Sequence, residues 1–95
     1  MTPALEPDIA DLAPWSEILT DYDLRHLAIY LRLLDAERDQ ADWREVARLV
    51  LGRDACTDET PVRRCWESHL SRARWMTTTG YRLMLATNAA KDPGT

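Results

Sequence analysis

Thr60-Pro61-Val62-Arg63-Arg64-Cys65-Trp66-Glu67-Ser68-His69-Leu70-Ser71-Arg72-Ala73-Arg74-Trp75-Met76 is the stretch on which the fold turns. Val62, Cys65, Trp66, His69, Leu70, Ala73 and Met76 recur at the three- and four-residue spacing of one helical face. Thr60 is placed to cap the helix, and Pro61 suits its first turn, where a missing N–H costs nothing. The spacing predicts a helix from there to about Thr78, with Gly80 as its stop signal.

Two more helices are read upstream. Thr20 and Asp23 form a capping-box pattern ahead of Leu24, Leu27, Ala28, Leu31 and Leu34, which share a face. Ile29, Tyr30 and Leu33 carry apolar character around most of that cylinder, as in the central helix of a bundle. Asp42 then caps a short helix burying Trp43, Val46, Ala47, Val50 and Leu51, and Gly52 is expected to close it in a left-handed conformation. Residues 53–60 are a polar connection. Tyr81 to Leu85 is expected to fold back as one or two lid turns. No segment alternates as a strand would. The fold class is therefore all-α, a small helical bundle with helix-turn-helix order, its turn longer than the usual three or four residues.

The ends differ from this middle. Pro3, Pro7 and Pro14 disfavour helix before them, so residues 1–14 are expected to be an acidic, extended or disordered arm whose end Trp15 pins to the core. The helical domain spans 15–87, and 88–95, ending Lys91-Asp92-Pro93-Gly94-Thr95, is expected to be a disordered tail. Ninety-five residues make a single domain and exclude a multidomain enzyme. No apolar run approaches the roughly 18 residues of a membrane span, and the N-terminus carries acids where a signal peptide carries bases, which predicts a cytoplasmic protein. In that compartment Cys56 and Cys65 are read as thiols.

Charge is uneven. Residues 1–23 hold Glu6, Asp8, Asp11, Glu17, Asp21 and Asp23 with no base, whereas 63–82 hold Arg63, Arg64, Arg72, Arg74 and Arg82 against Glu67 alone. The formal total of −4 opposes indiscriminate binding to polyanions.

No catalytic constellation emerges. Cys65 and His69 lie four apart on one face, but two ligands make no metal site, and a thiol on an apolar stripe is a poor nucleophile. His26 reads as a packing or surface residue. The three glycines form no phosphate loop, and Asp21, Asp23, Asp58 and Glu59 are explained by the positive end of a helix dipole. No enzyme activity and no cofactor are expected. At about 100° per residue, Arg64, Ser68, Ser71 and Trp75 line up opposite the third helix's buried stripe. Arg63, Glu67 and Arg74 lie on one flank and Arg72 towards the other. Three readings fit this face: a DNA-reading helix, a protein interface anchored by Arg and Trp, or a Trp75 covered by the returning lid.

Tyr30-Leu31-Arg32-Leu33-Leu34-Asp35-Ala36-Glu37, Asp42-Trp43-Arg44-Glu45-Val46-Ala47, the run Cys65 to Met76 and Gly80-Tyr81-Arg82 together resemble a small proteobacterial family of helix-turn-helix variants carried on integrative and conjugative elements. The likeness covers about Trp15 to Leu85. It implies an antiactivator in a quorum-sensing circuit. Such a protein binds an FseA-like transcriptional activator, whose C-terminal part is the same domain, and blocks its excision and transfer genes. The partner-binding candidates are then Arg64, Ser68, Ser71, Arg72 and Trp75 on a monomer that uses no membrane. The acidic arm would compete with DNA phosphate for a basic activator surface. The alternative is a transcriptional regulator that reads DNA with the third helix.

Overall fold

A computed structural model describes residues 9–83 and 85. Among the described residues the α-helices are, in order, α1 (Asp21–Arg25), α2 (Leu27–Arg38), α3 (Trp43–Leu51) and α4 (Glu59–Trp75). A π-helical turn, Met76–Gly80, continues α4 directly. The described residues contain no strand. The expected C-terminal tail lies outside the described residues, as do residues 1–8 of the arm.

The capping box forms as its pattern suggests: the Asp23 amide donates to Thr20 Oγ1 (3.1 Å) and the Thr20 amide to Asp23 Oδ2 (2.9 Å). The helix it starts is not continuous. At His26 the backbone leaves helical geometry (φ −115°, ψ 21°), dividing the expected first helix into α1 and α2. The face buried by α2 also differs from expectation. Leu24 and Leu31 are 49% and 63% exposed, while Ile29, Tyr30 and Leu33 are buried. His26, Ile29, Tyr30 and Leu33 form a second helical stripe beside the first, and the Tyr30 hydroxyl, donating 2.8 Å to buried Asp23, selects it.

α2 ends without glycine. Gln40 takes φ 59°, and the amides of Gln40 and Ala41 donate to the carbonyls of Glu37 and Ala36, a Schellman closure. Gly52 adopts φ 69° at the end of α3, where its amide and that of Arg53 both reach the Ala47 carbonyl. α4 begins at Glu59 with Asp58 in the capping position, two residues before the expected Thr60 cap. Pro61 remains within the first turn, where amides have no intrahelical acceptor.

α4 is the central strut. Cys65 and Leu70 pack with Ile29 and Leu33 of α2 and with Val46 and Leu51 of α3. Ala73 and Met76 pack on Tyr30, and Val62 packs with Ala47 and Ala55 beneath Trp43 and Trp66. Gly80 does not stop the helix, and Tyr81 to Leu83 continue helically instead of folding back. Gly80 is needed for close approach: a Cβ there would lie 2.7 Å from Met76 Sδ and 2.8 Å from the Trp75 ring. Tyr81 stays exposed beside an open apolar groove between α2 and the end of α4, lined by Leu27, Leu31, Leu34, Met76 and Thr77.

Candidate nucleic-acid interface

Three surfaces divide α4 lengthwise. One is the core stripe. The second is covered by residues 9–20, a non-helical strap running alongside the helix. Its Ala13 amide donates to Ser68 Oγ (2.9 Å), and the Cys65 thiol donates to the Ala10 carbonyl (3.4 Å). Arg72 donates to the carbonyls of Ser16 (2.5 Å) and Ile18 (2.8 Å). Trp15 is 72% exposed and meets the core through the Arg72 guanidinium, 5.9 Å from its ring, and that same guanidinium holds the backbone.

The third surface faces solvent and carries Arg63, Arg64, Glu67, Ser71 and Arg74. It is the expected outer face turned towards one flank, because the strap takes the Ser68 side. Of the five candidates from the sequence, Arg64 and Ser71 are exposed as expected. Ser68 is partly covered, accepting from the strap while donating to the Cys65 carbonyl (3.0 Å). Trp75 is partly buried, its ring 3.7 Å from the Arg72 guanidinium carbon, a cation–π contact.

Arg72 is a correction: it is fully buried. Its Nε and Nη2 donate to the two oxygens of Asp23 at 2.9 and 2.6 Å, a bidentate pair with Asp23 equally buried. Tyr30 and Thr20 hydroxyls also donate to that carboxylate. Burial pushes the Asp23 carboxyl up, but the hydrogen bonds from Arg72, Thr20 and Tyr30 outweigh it and hold it down to about 2. The helix spacing carried a signal for this position, since Arg72 is seven residues from Cys65, three from His69 and four from Met76, all buried.

The neighbouring polar groups are structural. His69 Nδ1 lies 2.7 Å from the Cys65 carbonyl and Nε2 lies 2.5 Å from the Tyr22 hydroxyl. These partners assign the proton to Nδ1 and the accepting role to Nε2 of a neutral ring. Burial lowers the His69 pKa despite the carbonyl, and burial raises that of the Cys65 thiol. His26 is buried, stacked on Tyr22 at 3.7 Å. Among the described residues no three His, Cys, Asp or Glu side chains come together to hold a metal ion.

On the exposed face, sequence reasoning missed a cluster joining the starts of α3 and α4. The Arg63 guanidinium sits 4.9 Å from the Trp43 ring and 5.4 Å from the Trp66 ring, and the Arg44 guanidinium lies 5.0 Å from the Trp43 ring. The helix wheel of α4 alone could not show it, because half of it belongs to α3. Most of these cations are paired: Arg44 with Glu59 (2.8 Å), Arg48 with Glu45 (3.0 Å), Arg63 with Glu67 (3.5 Å), and Arg74 with Glu37. Arg64, beside Pro61 and Asp58 at the start of α4, makes no ion pair among the described residues. No described helix is long and apolar enough to cross a membrane.

No curated protein matches this chain. A family model does: the one described as "T6SS, Transcription factor, DNA binding domain" matches residues 5–86. With nearly the whole chain covered, and with α3, a turn and an arginine-bearing α4 in helix-turn-helix order, the protein belongs to this family of RovC-type transcription-factor DNA-binding domains.

Proposed function

We propose that this protein is a transcriptional regulator that docks α4 into the major groove of duplex DNA. The observation that carries the reading is the solvent face of α4, where Arg63, Arg64, Ser71 and Arg74 stand together on a helix preceded by α3 and a turn. Arg64 is the base-reading or phosphate-reading side chain, because no carboxylate has to be displaced before it acts. Arg44, at the start of α3, is placed for a flanking phosphate, the role of the first helix in such motifs. Glu67 and Ser71 lie between the arginines and supply acceptor and hydroxyl groups toward base edges.

The test is selection of bound duplexes from a randomised pool, followed by titration of the enriched duplex over a salt series. Enrichment of one motif, with affinity falling linearly in log salt, is expected. Arg64→Ala should weaken binding about tenfold or more and leave the melting temperature unchanged. A pool without enrichment, and no salt-dependent binding by a folded protein, would refute the reading.

A second reading is favoured by one specific observation: four exposed arginines of α3 and α4 already hold carboxylates, in a chain of net charge −4. Such a face suits a protein partner better than a polyphosphate. It supports an antiactivator like QseM, one that occupies an FseA-like activator and silences excision and transfer genes under quorum-sensing control. Arg64, Ser71 and the accessible part of Trp75 are the contacts left to it. Recovery of an activator by the tagged protein after nuclease treatment, with no duplex enriched from the pool, would favour this reading over DNA binding.

A further inference from the structure

The strap along α4 is held in an unusual way. Leu12, Trp15 and Ile18 of the strap are 58%, 72% and 66% exposed, while Ile9 and Leu19 pack, partly buried, against the core. Directional polar contacts supply the rest of its hold. Beyond those to Ser68 and Arg72, Arg53 donates to the Asp11 carboxylate (2.8 Å) and to the Ile9 carbonyl (2.6 Å), and the Ala10 amide donates to the Tyr22 hydroxyl (3.1 Å). The contacts to Asp11 and Tyr22 are exposed and exchange readily for water, whereas those of Ile9, Ala10 and Ala13 with Arg53, Cys65 and Ser68 are partly buried. The portion from Ile9 to Ala13 can detach at the cost of the partly buried Ile9 contact, while Ser16 and Ile18 stay on Arg72 and the buried residues of the helices remain packed.

Its position gives detachment a consequence. Asp11 and Leu12 line one cleft with Arg53, Asp58, Pro61 and Arg64, at the start of α4. In helix-turn-helix docking that end of the helix enters the major groove between two walls of phosphate. The docked strap places a carboxylate there and occupies Arg53. The released strap leaves Arg53 and Arg64 facing the phosphates.

We propose that residues 9–13 are an autoinhibitory strap, an internal carboxylate that occupies Arg53 in place of DNA phosphate and must swing away for full DNA contact. The inference rests on the DNA-binding reading above. It makes strap release a point of control: whatever draws the strap off α4 raises DNA affinity without altering the bundle. Once released, Arg53 on a single phosphate steepens the log–log salt slope by about 0.9, equivalent to about an eightfold increase in affinity at 0.1 M relative to 1 M salt.

Two variants test it. In a Cys56→Ser background, Ala13→Cys with Ser68→Cys puts thiols on the two residues joined by the 2.9 Å bond from the Ala13 amide to Ser68 Oγ, allowing the strap to be locked by oxidation and freed by reduction. Separately, Asp11→Asn removes the negative charge that pairs with Arg53, leaving its bond to the Ile9 carbonyl, without removing any cation. Each is titrated with the selected duplex from 0.05 to about 0.3 M salt. The expected result is several-fold weaker binding and a shallower slope for the oxidised form than for the same protein reduced, and tighter binding than wild type for Asp11→Asn. Equal affinities and slopes for locked and reduced protein, with Asp11→Asn like wild type, would overturn the strap while leaving DNA binding intact. Absence of DNA binding in every form, with all forms folded, would remove both.

Discussion

Arg72→Met separates a stability role from a surface role at one position. The substitution keeps most of the side chain's volume but removes its charge and all four of its hydrogen bonds: two to Asp23 and one each to the carbonyls of Ser16 and Ile18. Asp23 would keep its bonds from Thr20 and Tyr30 but stand as a buried anion with no counter-ion. Breaking a buried pair by removing one partner typically costs about 3–5 kcal/mol. A domain of this size has a total stability of roughly 4–11 kcal/mol, so the variant should be barely folded at 37 °C. In a domain of fewer than 100 residues each kcal/mol lowers the melting temperature by about 4–8 °C, so a drop of at least about 12 °C is expected by circular dichroism at pH 7. Asp23→Asn added to Arg72→Met should recover part of the loss, because the amide carries no unpaired charge. A melting temperature within about 2 °C of wild type, the half-kcal/mol range of an ordinary surface substitution, would refute the buried-pair account and return Arg72 to the exposed candidates.

Acid should lower the stability of the protein in two stages. His69 has its folded pKa depressed below 6.5, so stability is complete above that value and declines as pH falls through it, the unfolded chain taking up the proton first. The Asp23 carboxyl, held at about 2 against an ordinary 3.8, contributes stability above pH 4 that is lost as pH falls toward 2, a matter of about 2 kcal/mol. Urea titrations from pH 8 to 2 check both, and a stability flat across pH 7 to 5 would contradict the buried neutral imidazole. Gly80→Ala gains helix propensity but pushes a methyl into Met76 and the Trp75 ring; overpacking of about 1–3 kcal/mol should prevail, and a stabilised variant in urea melts would show that those side chains can move aside.

The elements were largely legible from local patterns. The Thr20–Asp23 box, the Asp42 cap, Gly52 at positive φ and the α4 stripe from Val62 to Met76 all rest on interactions within a few residues of each other. The α2 face was ambiguous because two apolar stripes lie side by side on that helix. What chose Ile29, Tyr30 and Leu33 was α4 together with the Asp23 carboxylate on the preceding helix, and packing against α4 is invisible to a local pattern. The candidate site was half legible. Arg64 and Ser71 follow from the wheel, whereas Ser68 and Arg72 were displaced from it by a strap some 55 residues away along the chain.

By itself the sequence determines an all-helical fold with helix-turn-helix order, its caps, and an α4 rich in arginine, because capping and amphipathic spacing are short-range physics. Tertiary structure alone decides which arginines are available. A guanidinium is chemically the same wherever it stands along the chain. Only packing makes Arg72 a buried counter-ion, leaves Arg53 clasping the strap, lays Arg63 against two indoles and leaves Arg64 open to a ligand.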